Sequence, residues 1–272
     1  MTTFAVENHR NVALVGHGAT GKTTLADLIL HKTGIASRAG SVDDGSSLLD
    51  IDDDEKERKS SLSSAAVHCE HQGKRITLID APGYPDFIGQ AIGALRAVET
   101  AVIVINAHAG IEVNTRRMFG LAGNAGVGRM ILINKCDTDN VDYSQLIDDI
   151  QEMFGATCVP LNVPVGISES FSGVVSTLSA AESVPDGAQA DPADFNATLM
   201  DAIVEADEAL MERFLEGEEL SADEVSAGVS KAIAAGTLIP ILCSSSRNDV
   251  GVSEFMDALA TFALSPTEVS RT

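Results

Sequence analysis

The chain has 272 residues, and its 18 basic and 40 acidic residues give a formal charge of −22. Such a field opposes phosphate backbones and anionic membranes over most of the surface, so direct DNA binding and a membrane-bound role are not expected, and any RNA contact must be local. The length suits one large α/β domain or a core domain carrying an inserted module, and either can bury a sizeable core.

The acidity itself has two readings: solubility, including in a salty setting, or an acidic docking face. Cys69, Cys136, Cys158 and Cys243 are widely spaced without a CxxC pair, a pattern of reduced thiols rather than of disulfides or a zinc site. The N-terminal stretch lacks the apolar segment of a signal peptide, and no run is long enough to span a bilayer. A cytoplasmic, monomeric protein is expected.

In chain order, the continuous apolar run at residues 11–15 reads as a buried strand. It delivers GHGATGKTT, in which Gly16, Gly21, Lys22 and Thr23 stand at GxxxxGK[ST] spacing with His17, Gly18, Ala19 and Thr20 between them and Thr24 after. This pattern turns successive backbone N–H groups inward around an anion at a helix N-terminus. Lys22 can then reach terminal phosphates and the Thr23 hydroxyl can ligate Mg²⁺. On its own it marks a nucleotide phosphate site with the base unidentified. Helical spacing follows over residues 22–31. Residues 33–61 are aperiodic and rich in Gly, Ser and Asp, so they read either as a mobile segment closing over the nucleotide or as a plain solvated loop.

Residues 65–70 and 75–80 flank a glycine-containing turn and read as two strands. The second runs into Asp80, Ala81, Pro82, Gly83 and Tyr84, placing a carboxylate at a strand's C-terminal end, where open α/β sheets gather ligands. Asp80 is suited to holding Mg²⁺ through water opposite Thr23, and the Gly83 N–H to sensing a γ-phosphate. The alternative is a turn that merely caps the next helix. Helices over 87–99 and 112–123 alternate with strands over 101–106 and 130–133, the signature of a mainly parallel, doubly wound sheet. The last of these strands ends in Asn134, Lys135, Cys136 and Asp137. At a strand end, the Asp137 carboxylate can accept both N1–H and the exocyclic amine of guanine, a donor pair adenine lacks, while Asn134 and the Lys135 stem brace the loop and cover the base.

After a helix over 143–154 the rhythm breaks. Residues 158–236 hold strand-like runs at 159–165 and 172–175, a loop at 181–194, one long amphipathic helix over 194–216, and a helix opened by the capping-box pair Ser221 and Glu224. This segment reads as an inserted α+β subdomain, either a packed ornament or an acidic face for a protein partner. Residues 238–243 return to a buried strand followed by Ser244, Ser245 and Ser246, small residues that would let a backbone N–H approach guanine O6. A helix over 252–263 closes the pattern. The fold expected is a three-layer αβα P-loop NTPase, with a core of 1–157 and 237–272 and the insertion at 158–236.

With these motifs in view, the chain resembles the nucleotide-binding domain of translational GTPases, specifically bacterial elongation factor G. DAPGYPDF is similar to that family's DTPGHVDF, VPLNVPVGISESFSGVV to the start of its insertion, PILCSSS to its guanine-contacting strand end, and LSPTE to the exit from the domain. The resemblance implies a GTPase switch with GTP/GDP and Mg²⁺, acting on the ribosome through further domains, so that the chain reads as one domain of a longer protein. It also implies the metal ligands Thr23, Ser61 and Asp80, with Lys22, Gly83 and Tyr84 beside the chemistry. Three departures cluster by role: Ala19 replaces the usual Asp, Ser61 the lid threonine, and Tyr84 the histidine that orients the attacking water. Binding residues are kept and hydrolytic ones altered, so slow intrinsic hydrolysis is expected, and a regulatory module acting through partner binding is the alternative. An ATP-dependent kinase is disfavoured by the NKCD tetrapeptide.

Overall fold

The computed structural model describes residues 3–178, 184–218 and 220–269. The elements run in the order β1 (His9–Gly16), α1 (Lys22–Lys32), α2 (Asp53–Arg58), β2 (Ala65–His71), β3 (Lys74–Asp80), α3 (Ile88–Arg96), β4 (Thr100–Asn106), α4 (Val113–Ala125), β5 (Gly128–Asn134), α5 (Tyr143–Phe154), β6 (Cys158–Pro160), β7 (Asn162–Val165), β8 (Gly173–Ser176), α6 (Pro192–Glu205), α7 (Glu208–Leu215), α8 (Ala222–Ala235), β9 (Ile239–Cys243) and α9 (Val252–Phe262). Seven strands form one sheet in the order β2-β3-β1-β4-β5-β9-β6. Within it only the β2–β3 pairing is antiparallel. The doubly wound α/β architecture legible in the sequence is therefore present.

The central strands read as unbroken apolar runs because both their faces are covered. Along β4, Val102 and Val104 pack with α1, α6, α8 and α9, whereas Ala101, Ile103 and Ile105 pack with α3, α4 and α5. A period of two thus divides one strand between two helical layers. Phe255 on α9 is completely buried in the first layer; removing such a side chain from water contributes about 1.5–3 kcal/mol. The four cysteines are buried and free. Among the described residues no helix is long and apolar enough to cross a membrane.

Three elements differ from the sequence reading. The run at 159–165 is two strands. β6 completes the edge of the main sheet beside β9, and β7 pairs antiparallel with β8 in a separate two-stranded sheet. The chain changes sheets at Asn162, whose buried Oδ1 accepts the Cys243 N–H at 2.9 Å in place of a backbone carbonyl. The long helix over 194–216 is broken into α6 and α7, because Asp207 leaves helical geometry and accepts from the N–H groups of Ala209 and Leu210 as a new N-cap. Residues 33–61 are not wholly irregular: the acidic run forms α2, with Asp52 and Glu55 as a capping box. Elsewhere the Ser221–Glu224 capping box is present as the sequence indicates. Of the loop at 181–194, residues 181–183 lie outside the described part.

The described residues of 158–236 pack against the rest of the chain. Val159 on β6, Leu199 and Ile203 on α6, and Val229 and Ile233 on α8 belong to the same apolar cluster as Leu25 and Phe255.

Candidate nucleotide-binding site

The phosphate loop, the turn after β3 and the NKCD turn each lie at the C-terminal end of a parallel strand, and the segment between α1 and β2 adds Asp50 and Ser61. β1 ends at Gly16, where a Cβ would stand 2.4 Å from the Val104 carbonyl oxygen, so the loop can leave the sheet only through a glycine. Ala19 (φ 59°) and Gly21 (φ 91°) are both left-handed, which curls the backbone into the concave N–H array that binds anions. Lys22 opens α1, and its Nζ donates to the His17 carbonyl at 2.7 Å. Burial lowers the Lys22 pKa, and the nearby carboxylates of Asp80 and Glu112 oppose that shift. Gly18, Ala19, Gly21, Lys22, Thr23 and Thr24 all line a cleft of about 650 Å³, within the range of small-molecule sites. Thr20 is completely buried beneath the loop.

Beside Lys22 the structure assembles a set of hard oxygens. The Thr23 hydroxyl donates to Asp80 Oδ2 at 2.6 Å and stands 3.1 Å from Ser61 Oγ, which donates to Asp50 Oδ1 at 2.7 Å. Asp80 Oδ1 and Asp50 Oδ2 are buried without a partner. Burial pushes the Asp80 carboxyl up to about 6, against the pull of Lys22 and the Thr23 hydrogen bond. Two hydroxyls and a buried carboxylate with a spare oxygen fit Mg²⁺, which takes few protein ligands and keeps water and phosphate oxygens for the rest. The described residues contain no cluster of three or more His, Cys, Asp or Glu placed to hold a metal by themselves.

The turn after β3 is pressed onto the phosphate loop. Ala81 N–H donates to the Leu14 carbonyl at 3.2 Å, Pro82 is buried, and a Cβ at Gly83 would stand 2.4 Å from the His17 oxygen. The buried Asn114 amide donates to the Gly83 carbonyl at 2.6 Å. Tyr84 is 43% exposed, and the hydroxyl end of its ring lies over Gly18, where a Cβ would be 3.0 Å from Cζ.

At the end of β5, Asn134 ties three loops together. Its Nδ2 donates to the Thr20 carbonyl at 2.9 Å, while its Oδ1 accepts from Ser246 N at 3.0 Å, Ser246 Oγ at 2.9 Å and Ser244 Oγ at 3.2 Å. Lys135 is left-handed (φ 65°) and, with Asp137, lines the cleft. Asp137 Oδ2 accepts from Asn248 Nδ2 at 3.2 Å, whereas Oδ1 is buried without a partner. At this end of the site the N–H groups of Ser244, Ser245 and Ser246 donate to Ile133 O, Val250 O and Asn134 Oδ1, and Ser246 and Arg247 line the cleft. Their small side chains serve to bring the strand end close to Asn134.

Asp27, Asp50, Asn114 and Asn248 carry no motif and were invisible in the sequence. Asp27, on α1, is completely buried and accepts the Leu48 N–H at 2.9 Å; burial raises its pKa. It pins the long 33–61 segment to the first helix. Glu55 holds the other end by accepting the N–H groups of Leu62 and Ser63 at 2.8 and 3.1 Å. The only available signal was an aspartate on the apolar face of a helix.

A doubly wound sheet with a phosphate loop after its first strand, a buried carboxylate at the end of the neighbouring strand and an NKxD turn two strands away defines a P-loop nucleotide-binding domain. Residues 7–265 match the elongation factor Tu GTP binding domain, and the chain belongs to that family, the guanine-nucleotide-binding domains of translational GTPases. It is also similar to a Thermus thermophilus protein of known crystal structure, with 31% identity and a TM-score of 0.89 over 97% of this chain and 41% of that one. The chain therefore spans less than half the length of that relative.

Proposed function

We propose that this domain binds GTP and GDP with Mg²⁺ and serves as the conformational switch of an elongation-factor-G-like translational GTPase that works on the ribosome in the cytoplasm. The observation that carries the guanine assignment is the buried, unpartnered Oδ1 of Asp137 beside the cleft, since a desolvated carboxylate oxygen calls for a donor and guanine offers two. Gly16 to Thr24 cradle the phosphates, Lys22 meets the terminal phosphates, and Asn134 and Lys135 brace and cover the base. Ala81, Pro82 and Gly83 set the turn that senses the γ-phosphate. Thr23, Ser61 and Asp80 hold the cation, which when bound neutralises charge on the phosphates.

Residues 158–236 serve as the inserted subdomain, with its acidic face open to a protein partner, and the core comprises 1–157 and 237–272. GTP orders the segment around Ser61 and the turn at Gly83, and hydrolysis releases both. Because Tyr84 cannot become cationic as a protonated histidine can, the intrinsic rate is low. The same substitution favours a second reading, a GTP-binding module that hydrolyses little and acts by partner binding. Single-turnover GTP hydrolysis by the full-length protein, with and without ribosomes, separates the two. Ribosome stimulation is expected for the switch, and its absence would leave only the binding module.

A further inference from the structure

The contact between Tyr84 and Gly18 joins the turn after β3 to the phosphate cradle and plays no part in the metal set. Gly18 is not left-handed, so its backbone does not demand glycine; what a side chain would meet there is the Tyr84 ring, at 3.0 to 3.2 Å from Cζ, Cε1 and Cε2. The absence of a Cβ at position 18 is what allows the aromatic ring to lie on the loop.

Three further contacts hold the turn bearing Tyr84 in place: Ala81 N–H to Leu14 O, the close approach of Gly83 to His17, and the Asn114 amide on the Gly83 carbonyl. Both Gly18 and Tyr84 line the cleft alongside Lys22 and Gly83. The ring therefore rests on the phosphate loop next to His17, whose carbonyl accepts from Lys22.

We infer that Tyr84 is a retention clamp whose ring, seated on the side-chain-free Gly18, covers the phosphate end of the cleft and slows the release of bound guanine nucleotide. The inference rests on the nucleotide reading above and adds to it a positioning pair. Any nucleotide leaving past the phosphate loop must first lift the ring from Gly18, so the contact acts on the dissociation rate, where differences in affinity between related complexes are mostly expressed.

The test is stopped-flow release of GDP bearing a fluorescent N-methylanthraniloyl group from the 272-residue chain, chased with excess GDP. Tyr84→Ala should speed release about tenfold, the scale of one lost aromatic packing contact. Tyr84→Phe, which keeps the ring, should restore slow release. Gly18→Val, which evicts the ring, should speed release in the wild-type background and speed it clearly less in Tyr84→Ala, where no ring is left to evict. If Gly18→Val does not fold, as judged by thermal melting, Gly18→Ala carries the same comparison, since its Cβ already crowds the ring. Release unchanged in Tyr84→Ala, equally fast in Tyr84→Phe, or accelerated by Gly18→Val to the same degree in both backgrounds would overturn the clamp. Failure of the wild type to hold labelled GDP would overturn the nucleotide reading, and the clamp with it.

Discussion

Asp137→Asn strikes the group proposed to set the choice of base. In the structure one carboxylate oxygen accepts from Asn248 and the other is buried without a partner. An asparagine has only one acceptor oxygen. If it keeps Asn248, it turns an amine toward the donor edge of guanine; if it faces guanine, it turns an amine toward the Asn248 amine. In either orientation a donor opposes a donor. Hydrogen bonds to a charged acceptor contribute about 1.5–3 kcal/mol each. Losing one or two of them weakens GDP by about 1.5–6 kcal/mol, or ~10- to 10⁴-fold in Kd. The phosphate contacts are untouched, so ADP binding should hardly change and selectivity should fall by the same factor. Competition between GDP, inosine diphosphate and ADP for the intact chain measures this. Inosine diphosphate lacks the exocyclic amine, and its disadvantage against GDP should shrink in the variant. An unchanged GDP-to-ADP ratio would refute the assignment of Asp137 to the base.

Tyr84→His should raise single-turnover GTP hydrolysis about 10²-fold, the usual worth of a positioned acid–base group; no change would place the attacking water elsewhere. Asp27→Asn keeps the acceptor for the Leu48 N–H and removes a charge that burial disfavours. Because the folded carboxyl titrates above its unfolded value, its contribution to stability is fullest below the unfolded pKa and is lost as the pH rises through the folded one. The Tm of Asp27→Asn relative to wild type should therefore climb across that window and level off above it, and a pH-independent difference would rule out the buried charge as the cause. Gly228→Ala should lower stability in urea by about 1 kcal/mol, since a Cβ there would sit 2.4 Å from Ile203 Cγ2 and the resulting overpacking outweighs the better helix propensity of alanine. Equal or greater stability would show that α6 and α8 can move apart freely.

The phosphate loop, DAPGY and NKCD could be placed from sequence because each requires particular residue types at a strand end that an apolar run already marks. The alternation of strands and helices was legible for the same reason: β4 and β5 are buried on both faces and read as unbroken apolar stretches. Where one side chain changed the outcome, pattern was not enough. Asn162 takes over a ladder acceptor and sends β7 into a second sheet, and Asp207 caps a new helix inside an otherwise continuous amphipathic stripe. The anchors of the 33–61 segment were hidden because they act at long range. Asp27 reaches Leu48 and Asp50 reaches Ser61, contacts that leave no periodic trace. The hydrogen bonds that Ser244 and Ser246 make to Asn134 were hidden for the same reason, since they join residues more than a hundred positions apart.

If three strand ends build one guanine-nucleotide site, an equilibrium titration of the intact chain with GDP, a non-hydrolysable GTP analogue and ATP, each with and without Mg²⁺, tests it most directly. GDP and the GTP analogue should bind, Mg²⁺ should tighten the triphosphate, and ATP should fail to displace GDP; displacement of GDP by ATP at equal concentration would contradict a guanine site.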